Sequence, residues 1–250
     1  MNQNSPISET RAQVYCPIDT PDLSRAETIA TQVANAVDGL KVGMEFFYAQ
    51  GVAGYQAMAA HGAPIFLDLK LHDIPNTVAS AVRALAPLEP ELLNVHGAGG
   101  TAMMKAASEA AQQAANETGL RAPTMLAVTV LTSLSEADLH AIGVSGSPRE
   151  QVLRLAQLAQ ANGMGGVVCS AHEISLLRAE MGPDFKLIVP GIRPAGSALN
   201  DQKRVMTPVE AQTAGADILV IGRPIISHDT PQQAARDIAD SLNAAAGLSA

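Results

Sequence analysis

Pro64-Ile65-Phe66-Leu67-Asp68-Leu69-Lys70-Leu71-His72-Asp73-Ile74-Pro75-Asn76-Thr77 opens as an apolar run and then sets down a carboxylate, an ammonium and a second carboxylate, at positions 68, 70 and 73. The apolar opening has the character of a buried strand. Side chains two apart on a strand share a face, so Asp68 and Lys70 project together. An isolated buried ion is very costly, so a buried strand with two charges has to pair them or shift their protonation. Two readings follow. In the structural one, Asp68 and Lys70 are an ion pair at a strand end, and Asp73 is the N-cap of a helix with Pro75 in its first turn. In the functional one, the charges belong to a site.

The same order, apolar strand then helix, repeats on either side. Strand-like runs fall at 14–19, 40–43, 64–70, 92–96, 125–131, 166–169, 186–190 and 217–222. Helical stretches fall at 23–37, 45–60, 76–86, 101–118, 136–141, 149–161, 172–181, 208–214 and 231–245. The strand runs are short and almost continuously apolar, as parallel strands buried on both faces are. Only Pro17, in the first, sits awkwardly in a strand. Eight such units in 250 residues point to a (β/α)₈ TIM barrel, a single domain over 1–250 with 1–12 as a flexible N-terminal segment. A doubly wound open sheet is the alternative fold. No Gly-x-Gly-x-x-Gly follows the first strand, so its dinucleotide-binding version has no support.

Composition narrows the function. The net charge is -8, with 16 basic and 24 acidic side chains. Such a chain is poorly suited to holding a nucleic-acid backbone by bulk charge, so no nucleic-acid partner is expected. An anionic ligand would have to be gripped by a few placed groups. The two cysteines, Cys16 and Cys169, lie in apolar runs and read as small buried hydrophobes. The first residues lack the apolar stretch of a signal peptide. No apolar run approaches the roughly 18 residues of a membrane span. A soluble cytoplasmic protein with no membrane partner is the expectation.

In a barrel the chemistry lies at the C-terminal ends of the strands. Here those ends carry Asp19, Lys41, Asp68 with Lys70, Asn94 with His96, Thr129 with Thr132 and Ser133, Arg193, and Gly222 with Arg223. Alternating charges converging on one mouth favour the functional reading of the opening stretch. Loops after the seventh and eighth strands commonly bind phosphate. Gly222-Arg223-Pro224 suits this: glycine admits an anion to the backbone, arginine pairs with it, and Pro224 starts a helix. Arg193 and Gln202 lie in the preceding loop, 191–206, which is long enough to act as a lid. His72 and His96 invite a metal reading, but the neighbouring lysines would repel a cation, and no metal is assigned.

These residues resemble a known family. Asp68-Leu69-Lys70-Leu71-His72-Asp73-Ile74-Pro75-Asn76-Thr77 is similar to the signature of the orotidine 5′-phosphate decarboxylases of bacterial type. Lys41-Val42-Gly43-Met44-Glu45, Val95-His96-Gly97, Thr129 to Ser133, Pro190 to Pro194, Asp201 to Val205 and Gly222-Arg223-Pro224 resemble that family in the same order. Tyr15-Cys16-Pro17-Ile18 departs from the usual small-aliphatic run before the aspartate. The resemblance implies decarboxylation of orotidine 5′-phosphate to UMP and CO₂ without a cofactor, the last step of de novo pyrimidine biosynthesis. It also implies a homodimer with shared active sites, in which Asp73 and Thr77 act in trans. Lys41, Asp68, Lys70 and Asp73 would form the charged network. Asp19 and Lys41 would hold the ribose, Thr132 the pyrimidine, and Arg193, Gln202, Gly222 and Arg223 the phosphate. Lys70 would stabilise the C6 carbanion and return a proton to it. Two rival readings are a metal-dependent sugar-phosphate enzyme with the same Asp-x-Lys-x-x-Asp core and a non-catalytic nucleotide-binding barrel.

Overall fold

The computed structural model describes residues 11–194 and 206–248. Eight parallel strands alternate with helices along the chain. The first half comprises β1 (Gln13–Ile18), α1 (Leu23–Val33), β2 (Gly39–Gly43), α2 (Met44–Ala59), β3 (Ile65–Leu71), α3 (Pro75–Leu85), β4 (Leu92–His96) and α4 (Gly100–Thr118). The second comprises β5 (Thr124–Val128), α5 (Glu136–Ala141), α6 (Pro148–Ala161), β6 (Gly166–Val168), α7 (Ile174–Met181), β7 (Lys186–Pro190), α8 (Pro208–Ala214), β8 (Ile218–Val220), α9 (Arg223–Ile226) and α10 (Pro231–Ala245). Each strand pairs with its neighbours in sequence, and β1 pairs with β8 in the register Gln13↔Ile218 to Tyr15↔Val220. That pairing closes the barrel and disposes of the open-sheet alternative.

Alternation along the strands builds two cores. Inward-facing Tyr15, Phe66, Leu92, Leu126, Ile188 and Ile218 fill the barrel. Outward-facing Cys16, Ile18, Val42, Leu67 and Val95 pack on helix residues such as Ala26, Ile29, Val82 and Met104. Each large apolar side chain so buried contributes about 1.5–3 kcal/mol. Fitting the tyrosine inside requires a glycine beside it, because a Cβ on Gly39 would lie 2.3 Å from the Tyr15 ring. Both cysteines are free and buried, and burial pushes the Cys16 thiol up to about 12. Helix starts are set by side-chain caps: Asp22 accepts from the Arg25 N–H, and Ser147 with Glu150 and Thr207 with Glu210 form capping boxes.

Several boundaries depart from the sequence reading. The first helix ends at Val33, not 37, because Asp38 is drawn to the barrel floor, where its carboxylate accepts from Val14 N–H and pairs with Arg11. Arg11 and Ala12, within the segment expected to be flexible, are tied down; the Ala12 N–H donates to the Gln212 side chain at 2.8 Å. The rest of that segment lies outside the described residues. β5 stops at Val128, and Val130 and Leu131 line the mouth instead of extending the strand to 131. β8 covers only 218–220: Asp217 uses its carboxylate on Arg178 and the Leu187 N–H, and Gly222 turns out of the sheet. α2 is kinked at Gly51 (φ 61°, ψ -153°), where Gln50 donates to the Pro21 carbonyl at 2.6 Å. Among the described residues no helix is long and apolar enough to cross a membrane.

Candidate active site

Above the apolar filling, the mouth ends of the first four strands carry polar side chains: Asp19 just past β1, Lys41, Asp68 with Lys70, and Asn94. Lys41 Nζ lies 3.2 Å from Asp19 Oδ1 and 3.5 Å from Asp68 Oδ2. Lys70 Nζ lies 2.6 Å from Asp68 Oδ1. The result is a chain of alternating charge, Asp19, Lys41, Asp68, Lys70, drawn from three adjacent strands. Gly43 leaves room for its outer end, since a Cβ there would stand 3.0 Å from Lys41 Nζ and 3.5 Å from Asp19 Oδ1.

Lys70 is held by the backbone as well as by its charge. Between Leu67↔Leu93 and Leu71↔Val95 the β3–β4 register slips, so β3 spends more residues than β4 on the same span. Lys70 sits in this bulge at φ 52°, a left-handed conformation that only glycine adopts freely. Such a residue costs on the order of 1–3 kcal/mol and persists where its surroundings over-determine it. Asn94, fully buried on β4, supplies the restraint. Its Oδ1 accepts from Lys70 N–H at 2.8 Å while its Nδ2 donates to Asp68 Oδ1 at 2.7 Å. One amide thus fixes both the strained backbone and the carboxylate that receives the ammonium. Asn94 was noted in the sequence only as a polar strand end. The available signal was an amide at an alternate position of an otherwise apolar strand.

Burial by itself would push the Asp68 carboxyl up. The Lys41 and Lys70 ammonium groups, with hydrogen bonds from Lys70 and Asn94, outweigh it and hold the group below the usual carboxylate range. Just above, the His72 and His96 rings stand 5.4 Å apart and tilted by 42°. Half-burial, then His72 and Lys70, lower the His96 pKa, with Asp68 opposing. Among the described residues no group of three His, Cys, Asp or Glu side chains is placed to hold a metal ion.

Lys41, Asp68 and Lys70 form one end of an open-mouthed cavity of about 150 Å³. Val128, Val130, Val168 and Val220 make its apolar wall, and Thr132 stands on the side. An apolar wall with a few charged groups converging at one end is the character of a small-molecule site. Gly222 and Arg223 leave β8 at the same mouth, and Arg223 is solvent-exposed at the start of α9. Arg193 follows β7; it is buried, and its N–H donates to the Met206 carbonyl. Gln202 lies outside the described residues.

The capping role considered for Asp73 is corrected. The N-cap of α3 is Ile74, with no side-chain cap, and Asp73 Oδ1 accepts instead from the adjacent Ile74 N–H at 2.7 Å. Pro75 occupies the first helical position and fixes the start of α3 one residue later than such a cap requires. Asp73 takes no part in the ion pairs of its own chain among the described residues, and both Asp73 and Thr77 are exposed. Ile74 between them is 66% exposed.

Fold and site together define a single-domain (β/α)₈-barrel enzyme with an acid–lysine chain at the C-terminal mouth. The chain belongs to the orotidine 5′-phosphate decarboxylase / HUMPS family, whose profile matches residues 13–238. It is 53% identical over 234 residues to the orotidine 5′-phosphate decarboxylase of Rhodospirillum rubrum, covering 93% of this chain and 95% of that one. It is 51% identical to that of Sphingopyxis alaskensis, with 92% and 98% covered. The crystal structure of orotidine 5′-phosphate decarboxylase from Lactobacillus acidophilus superposes with a TM-score of 0.83 at 36% identity, over 94% of this chain and 100% of that one.

Proposed function

We propose that this chain decarboxylates orotidine 5′-phosphate to UMP and CO₂ without a cofactor, as a cytoplasmic enzyme of pyrimidine nucleotide synthesis. The observation that carries the reading is the Lys70 ammonium, locked by Asp68 and Asn94 at the head of an apolar-walled cavity. Breaking the bond from C6 to the carboxylate leaves an electron pair in the plane of the pyrimidine, where the ring's π-system cannot take it. A fixed ammonium beside C6 stabilises that charge at no reorganisation cost. The same Lys70 then gives C6 its proton, and CO₂ leaves. Asp68 keeps Lys70 aimed and lies next to the departing carboxylate. Lys41 and Asp19 bind the ribose hydroxyls, Thr132 the pyrimidine edge, and Arg193, Gln202, Gly222 and Arg223 the phosphate. Phosphate contacts remote from the reacting bond help by ordering the closed site.

The active unit in this reading is a homodimer in which Asp73 and Thr77 complete the neighbour's site. Asp73 is exposed, at the mouth, and outside its own chain's network. Solvent-facing apolar side chains that a second copy would cover are Ile74, next to it in sequence, and Met44 and Tyr48, one turn apart on α2. Loss of orotidylate absorbance tests the reaction. The wild-type protein is expected to convert the substrate with or without a chelator, and Lys70→Ala is expected to bind UMP and not turn over. Activity abolished by the chelator would favour the metal-dependent sugar-phosphate reading instead.

A further inference from the structure

A proline inside a closed barrel has no edge to hide on. Every strand there has two neighbours, and proline offers no N–H to either. Pro17 is nonetheless buried in β1. The β1–β8 ladder explains the site. Gln13 N–H donates to the Asp217 carbonyl at 2.8 Å, and Ile221 N–H donates to the Tyr15 carbonyl at 3.0 Å. With the two-residue period of a parallel ladder, the next rung would run from the N–H of residue 17 to the Ile221 carbonyl. Proline cannot make it, so the ladder ends there, and Gly222 turns away at φ -99° and ψ -92° to begin α9. The ring also occupies space. A Cβ on Gly222 would meet Pro17 Cγ at 2.8 Å and Cδ at 3.5 Å. A pyrrolidine closed onto its own backbone cannot swing aside as a flexible side chain would. Pro17 also pairs in register with Lys41 and stands two residues before Asp19.

We propose that Pro17 is a positioning residue for the phosphate grip: it releases β8 from the sheet and interlocks with Gly222, fixing the turn that presents Gly222 and Arg223. The proposal rests on the reading of that turn as the phosphate contact. The test is a double-mutant cycle read by UMP affinity and by kcat and KM with orotidine 5′-phosphate and phosphate-free orotidine. Gly222→Ala is expected to weaken UMP binding about tenfold, equivalent to about 1.4 kcal/mol. Pro17→Ala is expected to raise KM for the phosphorylated substrate severalfold, with kcat at saturation and the turnover of orotidine little changed. The double variant is expected to bind UMP more tightly than Gly222→Ala alone, because removing the ring makes room for the new methyl group. Pro17→Ser, also without a ring, is the second variant should the alanine form not fold. Losses that simply add, an unchanged UMP affinity in Pro17→Ala, or equal losses on orotidine would overturn the proposal. Arg223→Ala run alongside separates the two readings. If it binds UMP as the wild type does, the phosphate assignment has failed; if it loses UMP and the cycle is additive, only the role of Pro17 has.

Discussion

Asn94 does at the mouth what a charged residue could not: it accepts from one backbone and donates to one carboxylate with a single uncharged amide. The period-two spacing of Asp68 and Lys70 made their shared face legible from sequence. Their 2.6 Å contact and the left-handed Lys70 were not, because both depend on how β3 slips against β4. His96 supplies the pH dependence at this scale. Its pKa is lowered by burial first, then by His72 and Lys70, against Asp68. A depressed histidine contributes stability that is fully present above the unfolded value of about 6.5 and is lost as pH falls through the folded one. Melting temperature should therefore fall less steeply from about pH 7.5 to 5.5 in His96→Gln than in the wild type. Parallel curves for the two proteins would rule that contribution out.

Among the elements, strand and helix order was legible almost throughout, since buried parallel strands and amphipathic helices leave different periods. What failed was the length of an apolar run. Val130 and Leu131 look like more of β5, yet a cavity wall needs the same side chains as a strand. The kink in α2 was hidden for a different reason. Glycine is tolerated in a helix, and the Gln50–Pro21 bond beside the kink joins residues far apart in sequence. The capping reading of Asp73 was off by one residue, a shift that moved its carboxylate from helix start to open surface. The turn after β8 carries its own prediction. Arg223→Ala should lower kcat/KM for orotidine 5′-phosphate about a hundredfold or more, the scale of one or two charged hydrogen bonds, and leave turnover of orotidine nearly unchanged. Equal losses on both substrates would show that Arg223 acts on the fold and not on the phosphate.

For the whole molecule, eight strand–helix units were enough to name the barrel, and closure through β1 and β8 bears that out. The network was legible only in part, because three of its four expected members meet within one chain while Asp73 does not. The shared site proposed above would account for that separation. Mixing Lys70→Ala and Asp73→Ala chains should regenerate one intact site in each mixed dimer, and activity should rise above either variant alone. No gain after subunit exchange, confirmed by size and composition of the mixed species, would put Asp73 to work within its own chain or not at all. The central claim is narrower, that the Lys70 ammonium both stabilises C6 and protonates it. Its most direct test is decarboxylation by Lys70→Ala, measured as loss of orotidylate absorbance with UMP binding measured on the same sample. The account predicts bound UMP and almost no turnover; turnover above a few per cent of wild type would contradict it and require another acid at C6.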